Sequence, residues 1–239
     1  MTMRAMLLAA GRGERMRPLT DTCPKPLLPA GGRPLIEWQI ARLVAAGYRE
    51  LVINVSYRAD QITRALGDGR RFGAHIKYSH EETPMESAGA LAQALAHLGS
   101  EPVLVVAGDI YAEFDYSLLA AARDRITRGD GFLAHLVLVP NRPFRPRGDY
   151  SLETTVLPAR VGVAGSPFWT WAGIGLFHTN LLREIPNGKK IPLLPFFTDW
   201  IGRGLVSGEL YRGEWDNLGT PEQLHELDVK LSGNNLPPR

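Results

Sequence analysis

No apolar run in this 239-residue chain approaches the ~18 residues that a membrane-spanning helix requires, so no membrane association is expected. Cysteine is almost missing. Cys23 stands alone, which excludes an internal disulfide framework and a cysteine-rich metal centre and suits a reducing, cytoplasmic compartment. Net charge is also close to absent: 27 Lys and Arg face 25 Asp and Glu, a formal +2. Bulk electrostatics therefore gives no reason to expect a nucleic-acid partner. The apolar start, Met1 to Leu8, is too short for a secretory leader and runs straight into glycines, so it reads as a first buried strand. Repeats, low-complexity stretches and a linker-like shift in composition are lacking as well.

What is present suits one sizeable α/β domain over residues 1–239, with 233–239 expected to be a disordered tail. Short β-rich runs alternate with helical spacing. Met3–Ala9, Leu51–Val55, His75–Ser79, Val103–Ala107 and Phe132–Val139 read as strands. Between them, Leu35, Ile36, Ile40, Leu43 and Val44 recur at helical spacing after Pro34, and Asp60–Leu66, Ala88–Leu98 and Tyr116–Thr127 read as helices. This alternation predicts a Rossmann-like, mixed but mostly parallel sheet flanked by helices, with ligands at the carboxyl ends of its strands. Beyond a Pro- and Arg-rich loop at Asn141–Arg147 the pattern is less regular. A hairpin is expected over Ser151–Val163, strands at Ile174–His178 and Leu205–Arg212, and helices at Thr179–Ile185, Pro192–Ile201 and Pro221–Leu231, the last capped by Thr220.

The first strand leads into Ala9-Ala-Gly-Arg-Gly-Glu-Arg-Met-Arg-Pro18. Small residues at Ala9, Ala10, Gly11 and Gly13 let backbone N–H groups approach an anion, and Arg12, Arg15 and Arg17 offer guanidinium forks for phosphate oxygens. Lys25 is braced between Pro24 and Pro26. No Gly-Lys-Ser/Thr follows, which excludes a Walker loop, and Met16 stands where the third glycine of a dinucleotide fingerprint would be. No acidic residue closes the second strand, which further disfavours a nicotinamide-linked enzyme. Spacing alone leaves two readings open: an anion cradle, or an irregular basic surface loop. Further along, Val103-Leu-Val-Val-Ala-Gly-Asp109 puts a carboxylate at the carboxyl end of a buried strand. A triphosphate arrives with Mg²⁺, which favours one or two carboxylates plus phosphate oxygens, so Asp109 is either a Mg²⁺ ligand or a turn aspartate.

The long ordered run Leu8 to Thr20, together with Pro24-Lys-Pro-Leu-Leu-Pro29, resembles the signature of the sugar-1-phosphate nucleotidyltransferases. The resemblance implies that Leu8, Ala9, Ala10, Gly11 and Gly13 wrap nucleotide phosphates and that Arg15 and Lys25, with Asp109, are the catalytic set. Trp215-Asp-Asn-Leu-Gly-Thr-Pro221 resembles the family's closing motif, with Asn217 in the usual aspartate place. Asn217 is thus the implied second metal ligand beside Asp109, and Asp216 the alternative. Glu86-Ser-Ala-Gly89 falls where the family reads base and ribose, which marks Glu86, Ser87 and Gly89, with Asn54, as nucleotide-binding candidates. Ser87 is also a natural helix cap. Asp149, Glu153, Gly173 and Lys190 are the implied sugar-phosphate contacts. Residues 1–140 would then serve mainly the nucleotide and 141–232 mainly the sugar phosphate.

Strings such as Arg147-Gly-Asp149 and Lys190-Ile-Pro-Leu-Leu194 are similar to the branch of the family that joins UTP to N-acetyl-α-muramate 1-phosphate in cell-wall recycling. A lactyl carboxylate would call for a cation, with Arg145, Arg147 and Lys190 as candidates. The chain ends soon after the Gly-Thr-Pro helix, without a hexapeptide-repeat tail, which suits the same branch. The alternatives are uridylyl, thymidylyl or guanylyl transfer to glucose, N-acetylglucosamine or mannose 1-phosphate, or a non-catalytic relative that only binds nucleotide sugars. A monomer or small homo-oligomer is expected.

Overall fold

The computed structural model describes residues 3–233. Gly233, the first residue of the expected tail, closes the last helix, and 234–239 lie outside the described residues. Nine strands form the main sheet: β1 Arg4–Leu8, β2 Glu50–Val55, β3 His75–His80, β4 Val103–Ala107, β5 Ala134–Val139, β6 Tyr150–Glu153, β7 Arg160–Gly162, β8 Phe168–Phe177 and β9 Val206–Leu210. The helices are α1 Leu35–Ala45, α2 Ala59–Leu66, α3 Glu86–Leu98, α4 Ala120–Arg128, α5 Thr179–Leu182, α6 Leu194–Gly202 and α7 Pro221–Gly233. The order across the sheet is β3-β2-β1-β4-β8-β5-β9-β7-β6.

The sheet is mixed, and its parallel character is concentrated in β3, β2, β1 and β4, the strand–helix alternation legible in sequence. From β8 onward most pairings are antiparallel, with β9 parallel to β5 the exception. β1 lies between β2 and β4, so successive crossovers leave it in opposite directions along the sheet. Such a reversal opens a crevice outside the carboxyl ends of the strands.

Both faces of the sheet are covered, which explains why its central strands read as unbroken apolar runs. On β1, Ala5 and Leu7 face one core with α1, α2 and α4, while Met6 faces the other with α3, α5 and α6. β4 alternates likewise, Leu104 and Val106 against Val103 and Val105. A third cluster holds Met16, Leu28, Tyr111, Leu218, Leu224, Leu227 and Leu231. Met16 therefore anchors the glycine loop by its side chain, and α7 packs beneath it. The predicted Thr220 cap is present as a capping box: Gln223 N–H donates to Thr220 Oγ1 (3.4 Å), and Gln223 Oε1 accepts from Thr220 N–H (3.0 Å).

The expected strand Ile174–His178 is the tail of the ten-residue β8, which begins at Phe168. Its register shifts between Trp171 and Ile174, where Gly173 takes φ +76°, and this interruption hides the strand's first half from an alternation test. The expected helix Tyr116–Thr127 opens instead as a 3₁₀ turn over Tyr116–Leu119, with Asp115 accepting from Ser117 N–H (2.9 Å). Buried polar groups are few. One set is His135, whose Nδ1 lies 2.9 Å from Ser207 Oγ while its Nε2, 3.9 Å from Glu209, has no hydrogen-bond partner. Burial first, with the Arg125 charge adding to it, depresses the His135 pKa to about 4.

Candidate active site

β1 and β4 run side by side with Leu8 opposite Ala107, so the segments that follow them leave the sheet together. Gly108 makes this possible. Its N–H donates to Leu8 O (2.9 Å), and a Cβ there would stand 2.2 Å from that same oxygen. Only glycine permits the approach. In the sequence it stands only as the residue before Asp109.

The two segments deliver opposite charges to one place. Lys25 Nζ lies 3.2 Å from Asp109 Oδ2, with the lysine side chain 10% exposed and the aspartate 40%. Burial draws the Lys25 ammonium below the usual lysine range. Asp109 opposes that shift, and the positive Arg15 nearby adds to it. Lys25 opens a 3₁₀ turn, Lys25–Leu27, between two prolines, which limits the freedom of its backbone. The glycine loop is shaped by Gly13 at φ +63°, where a Cβ would crowd Thr20 and Lys25. Thr20 Oγ1 ties it by donating to Gly13 O (2.9 Å).

An element not anticipated from sequence brings in the closing motif. Ile110–Ala112 pairs antiparallel with Trp215–Asn217, setting Asn217 opposite Ile110 and Asp216 opposite Tyr111. Leu218 N–H donates to Asp109 O (2.8 Å). Neighbouring residues on a strand face opposite ways, and this separates the two candidates. Asn217 lines the cleft with Asp109, whereas Asp216 turns toward Arg142 (3.7 Å). The guanidinium of Arg15 lies against Gly219, where a Cβ would stand 3.1 Å from it.

The resulting cleft of about 460 Å³ gathers Arg15, Ser87, Asp109, Asp149, Gly173 and Asn217 among its walls, completed by Phe144, Arg145, Trp171, Leu194 and Phe197. It does not gather every expected residue. Glu153 is exposed at the end of β6, accepting from Thr155 Oγ1 (3.1 Å), and Lys190 is exposed; neither lines the cleft. Asn54 is spent inside the protein: its Oδ1 accepts from Ala9 N–H (2.8 Å) and its Nδ2 donates to Glu81 Oε1 (2.7 Å). Glu81 Oε2 in turn accepts from Met85 N–H (2.9 Å). Asn54 and Glu81, 4% and 6% exposed, thus clamp the start of the glycine loop to the turn before α3. Nothing local marks Glu81 in the sequence, and its burial is a tertiary fact. Ala9 and Ala10 are buried, while Gly11 faces open space and Leu8 ends β1.

The start of α3 is also partly committed. Ala88 and Gly89 N–H both donate to Ile191 O (3.0 and 3.2 Å), and Leu193 N–H donates to Ser87 Oγ (3.0 Å). Gly89 therefore serves a close approach of chain, since a Cβ would stand 2.3 Å from Lys189 O. Glu86, one residue outside this seal, is exposed and holds φ +62°, a left-handed conformation that costs a non-glycine residue on the order of 1 kcal/mol or more.

The donor set offers hard oxygen ligands, one carboxylate at Asp109 and one amide oxygen at Asn217. Among the described residues no cluster of three or more His, Cys, Asp or Glu is placed to hold a metal unaided. That composition fits Mg²⁺, which takes few protein ligands and completes its shell with phosphates and water. It does not fit zinc.

A glycine-rich loop at a strand-order reversal, beside an acid–amide pair at the carboxyl ends of the strands, is the architecture of the α/β nucleotide-binding class. The family follows from comparison: residues 4–145 match the nucleotidyl transferase family, and the chain belongs to it. It is 43% identical over 95% of its length to the N-acetylmuramate alpha-1-phosphate uridylyltransferase of Neisseria meningitidis, covering 97% of that protein. It is 32% identical over 95% to the enzyme of that name from Caulobacter vibrioides, covering 96%. With the mannose-1-phosphate guanylyltransferase of Mycobacterium tuberculosis it shares 28% over 91%, but spans only 61% of that chain. The fold matches a Bacillus anthracis crystal structure assigned as a glucose-1-phosphate thymidylyltransferase at TM-score 0.82 and 19% identity, covering 99% of this chain and 98% of that one.

Proposed function

We propose that this chain transfers a uridylyl group from UTP to N-acetyl-α-muramate 1-phosphate, giving UDP-N-acetylmuramate and pyrophosphate in the cytoplasm. The observation that carries the substrate pair is the 43% identity, running nearly end to end in both chains, to a relative of that name. The chemistry rests on Arg15, Asp109 and Asn217 lining one cleft, with the buried Lys25 3.2 Å from Asp109.

A non-bridging oxygen of the sugar phosphate attacks the α-phosphorus of UTP in line. The α-phosphorus–bridging oxygen bond breaks, and its electron pair leaves with pyrophosphate. Arg15 and Lys25 stabilise the negative charge that grows on the departing group. Asp109 keeps the buried Lys25 charged and in place, and Gly11 and Gly13 let the chain bend around the phosphates. Glu86 and Ser87 border the base and ribose, with Asn54 and Glu81 holding the two loops in register. Asp109 and Asn217 would hold Mg²⁺, which when bound neutralises phosphate charge. No covalent intermediate forms on the protein. The reading gives Cys23 no part in the reaction, and burial first, against the Arg58 charge, raises its thiol above the usual range.

Pyrophosphate release across a grid of UTP, GTP and dTTP against muramate, glucosamine, glucose and mannose 1-phosphates, with and without Mg²⁺, tests this reading. UTP with N-acetylmuramate 1-phosphate and Mg²⁺ is expected to lead, and Asp109→Ala to lower kcat by about 100-fold or more. A second reading, guanylyl transfer to mannose 1-phosphate, is favoured by the Mycobacterium tuberculosis relative of that name, 28% identical over 91% of this chain, which spans 61% of it. Its pair leading the grid would replace the first. No turnover of any pair would leave a nucleotide-sugar binder.

A further inference from the structure

The cleft carries a second guanidinium that the transfer itself does not need. Arg15 stands against Gly219 and near Lys25. Arg145, on the loop between β5 and β6, lines the same cleft. The sequence offered Arg145, Arg147 and Lys190 as possible carboxylate partners, and of these only Arg145 borders the cleft.

Arg145 is held ready. Its Nε donates to Asp149 Oδ1 (2.6 Å), with Nη2 on the same oxygen, while Asp149 Oδ2 accepts from Trp171 N–H (2.9 Å). Asp149 is nearly buried, its side chain 10% exposed, while that of Arg145 is 55% exposed. The carboxylate thus acts as a brace, and one edge of the guanidinium serves it. The backbone is fixed too: Arg145 N–H donates to Arg142 O (2.8 Å), Gly148 N–H to Arg145 O (3.2 Å), and Asn141 Nδ2 to Phe168 O (3.0 Å). A side chain already ordered loses less entropy when it binds. Beside it Phe144, an aromatic ring 49% exposed, lines the same cleft with its ring 6.4 Å from that of Trp215. An exposed cation next to an exposed apolar surface matches a ligand with a carboxylate and a methyl group on one carbon.

We propose that Arg145, braced by Asp149 and flanked by Phe144, selects sugar 1-phosphates bearing a carboxylate-ended ether substituent. The arginine would pair with the lactyl carboxylate, and the ring would cover the lactyl methyl. This inference rests on the reading of the preceding subsection. Sugars lacking the second anion gain nothing from this residue.

The test measures kcat/KM with UTP for three acceptors: N-acetylmuramate 1-phosphate, its lactyl carboxamide, and N-acetylglucosamine 1-phosphate. Wild-type protein is expected to favour the carboxylate over the carboxamide by about 10-fold or more, expressed mainly in KM. Arg145→Gln is expected to erase that preference, and Arg145→Lys, which keeps the charge, to retain part of it. Melting temperatures near wild type would show that both variants fold, as the exposure of Arg145 leads one to expect. A wild-type preference that survives in Arg145→Gln would overturn the inference alone. So would an equal loss on all three acceptors, the mark of a merely structural ion pair. Wild-type protein that turns over none of the three would instead overturn the reading beneath it.

Discussion

Burying a histidine without a proton makes stability depend on pH, and His135 allows the dependence to be worked out. It is 3% exposed, and its pKa in the folded protein is about 4. In the unfolded chain it would be about 6.5. The folded value is the lower one, so between these limits the unfolded state binds the extra proton. The stability contribution is therefore complete above about pH 6.5 and declines as pH falls toward 4. A difference of this size amounts to roughly 3 kcal/mol across the whole window, and to about 2 kcal/mol between pH 7 and pH 5. Glu209, 3.9 Å away, works in the opposite sense: burial raises its pKa, against the Arg125 charge, so acid favours the folded form there. The histidine must therefore be isolated by comparison. His135→Asn removes the titration and retains an amide able to meet Ser207 Oγ. Urea unfolding of both proteins at pH 7 and pH 5 gives the difference. The wild type's stability relative to the variant is expected to fall by about 2 kcal/mol on going to pH 5. Equal losses in the two proteins would refute the assignment of His135 as a neutral buried group.

Two further outcomes concern the site. Asn217→Asp is expected to lower the Mg²⁺ concentration needed for half-maximal pyrophosphate release, because a carboxylate binds a hard cation more strongly than an amide does; an unchanged or higher requirement would remove Asn217 from the metal site. Asn54→Ala strands the Ala9 N–H and leaves the buried Glu81 short of a partner, so a loss of about 2–4 kcal/mol in urea unfolding is expected, together with a fall in kcat as the glycine loop loosens.

The glycine loop was legible because its chemistry is local. Small residues, arginines and a proline-braced lysine lie within a few turns of chain, and the strand before them is continuous apolar sequence. The parallel half of the sheet was legible for the same reason, since strand–helix alternation is a pattern of near neighbours. The first half of β8 was hidden by a bulge at Gly173, and the ribbon uniting Ile110–Ala112 with Trp215–Asn217 by its three-residue strands. Neither leaves a periodic signal.

What the sequence determined by itself, then, is that a glycine- and arginine-rich loop follows the first strand and that one carboxylate ends the fourth. Only the tertiary structure decided which residues meet. It set Lys25 against Asp109 across 84 positions. It turned Asn217 into the cleft and Asp216 out of it. It consumed Asn54 within the protein, left Glu153 and Lys190 outside the cleft, and brought Arg145 to its wall. The physical reason is that composition and spacing specify which chemistry a segment can perform. The direction a side chain faces is set by strand register and by close backbone contacts such as that at Gly108, and these join residues far apart in the chain.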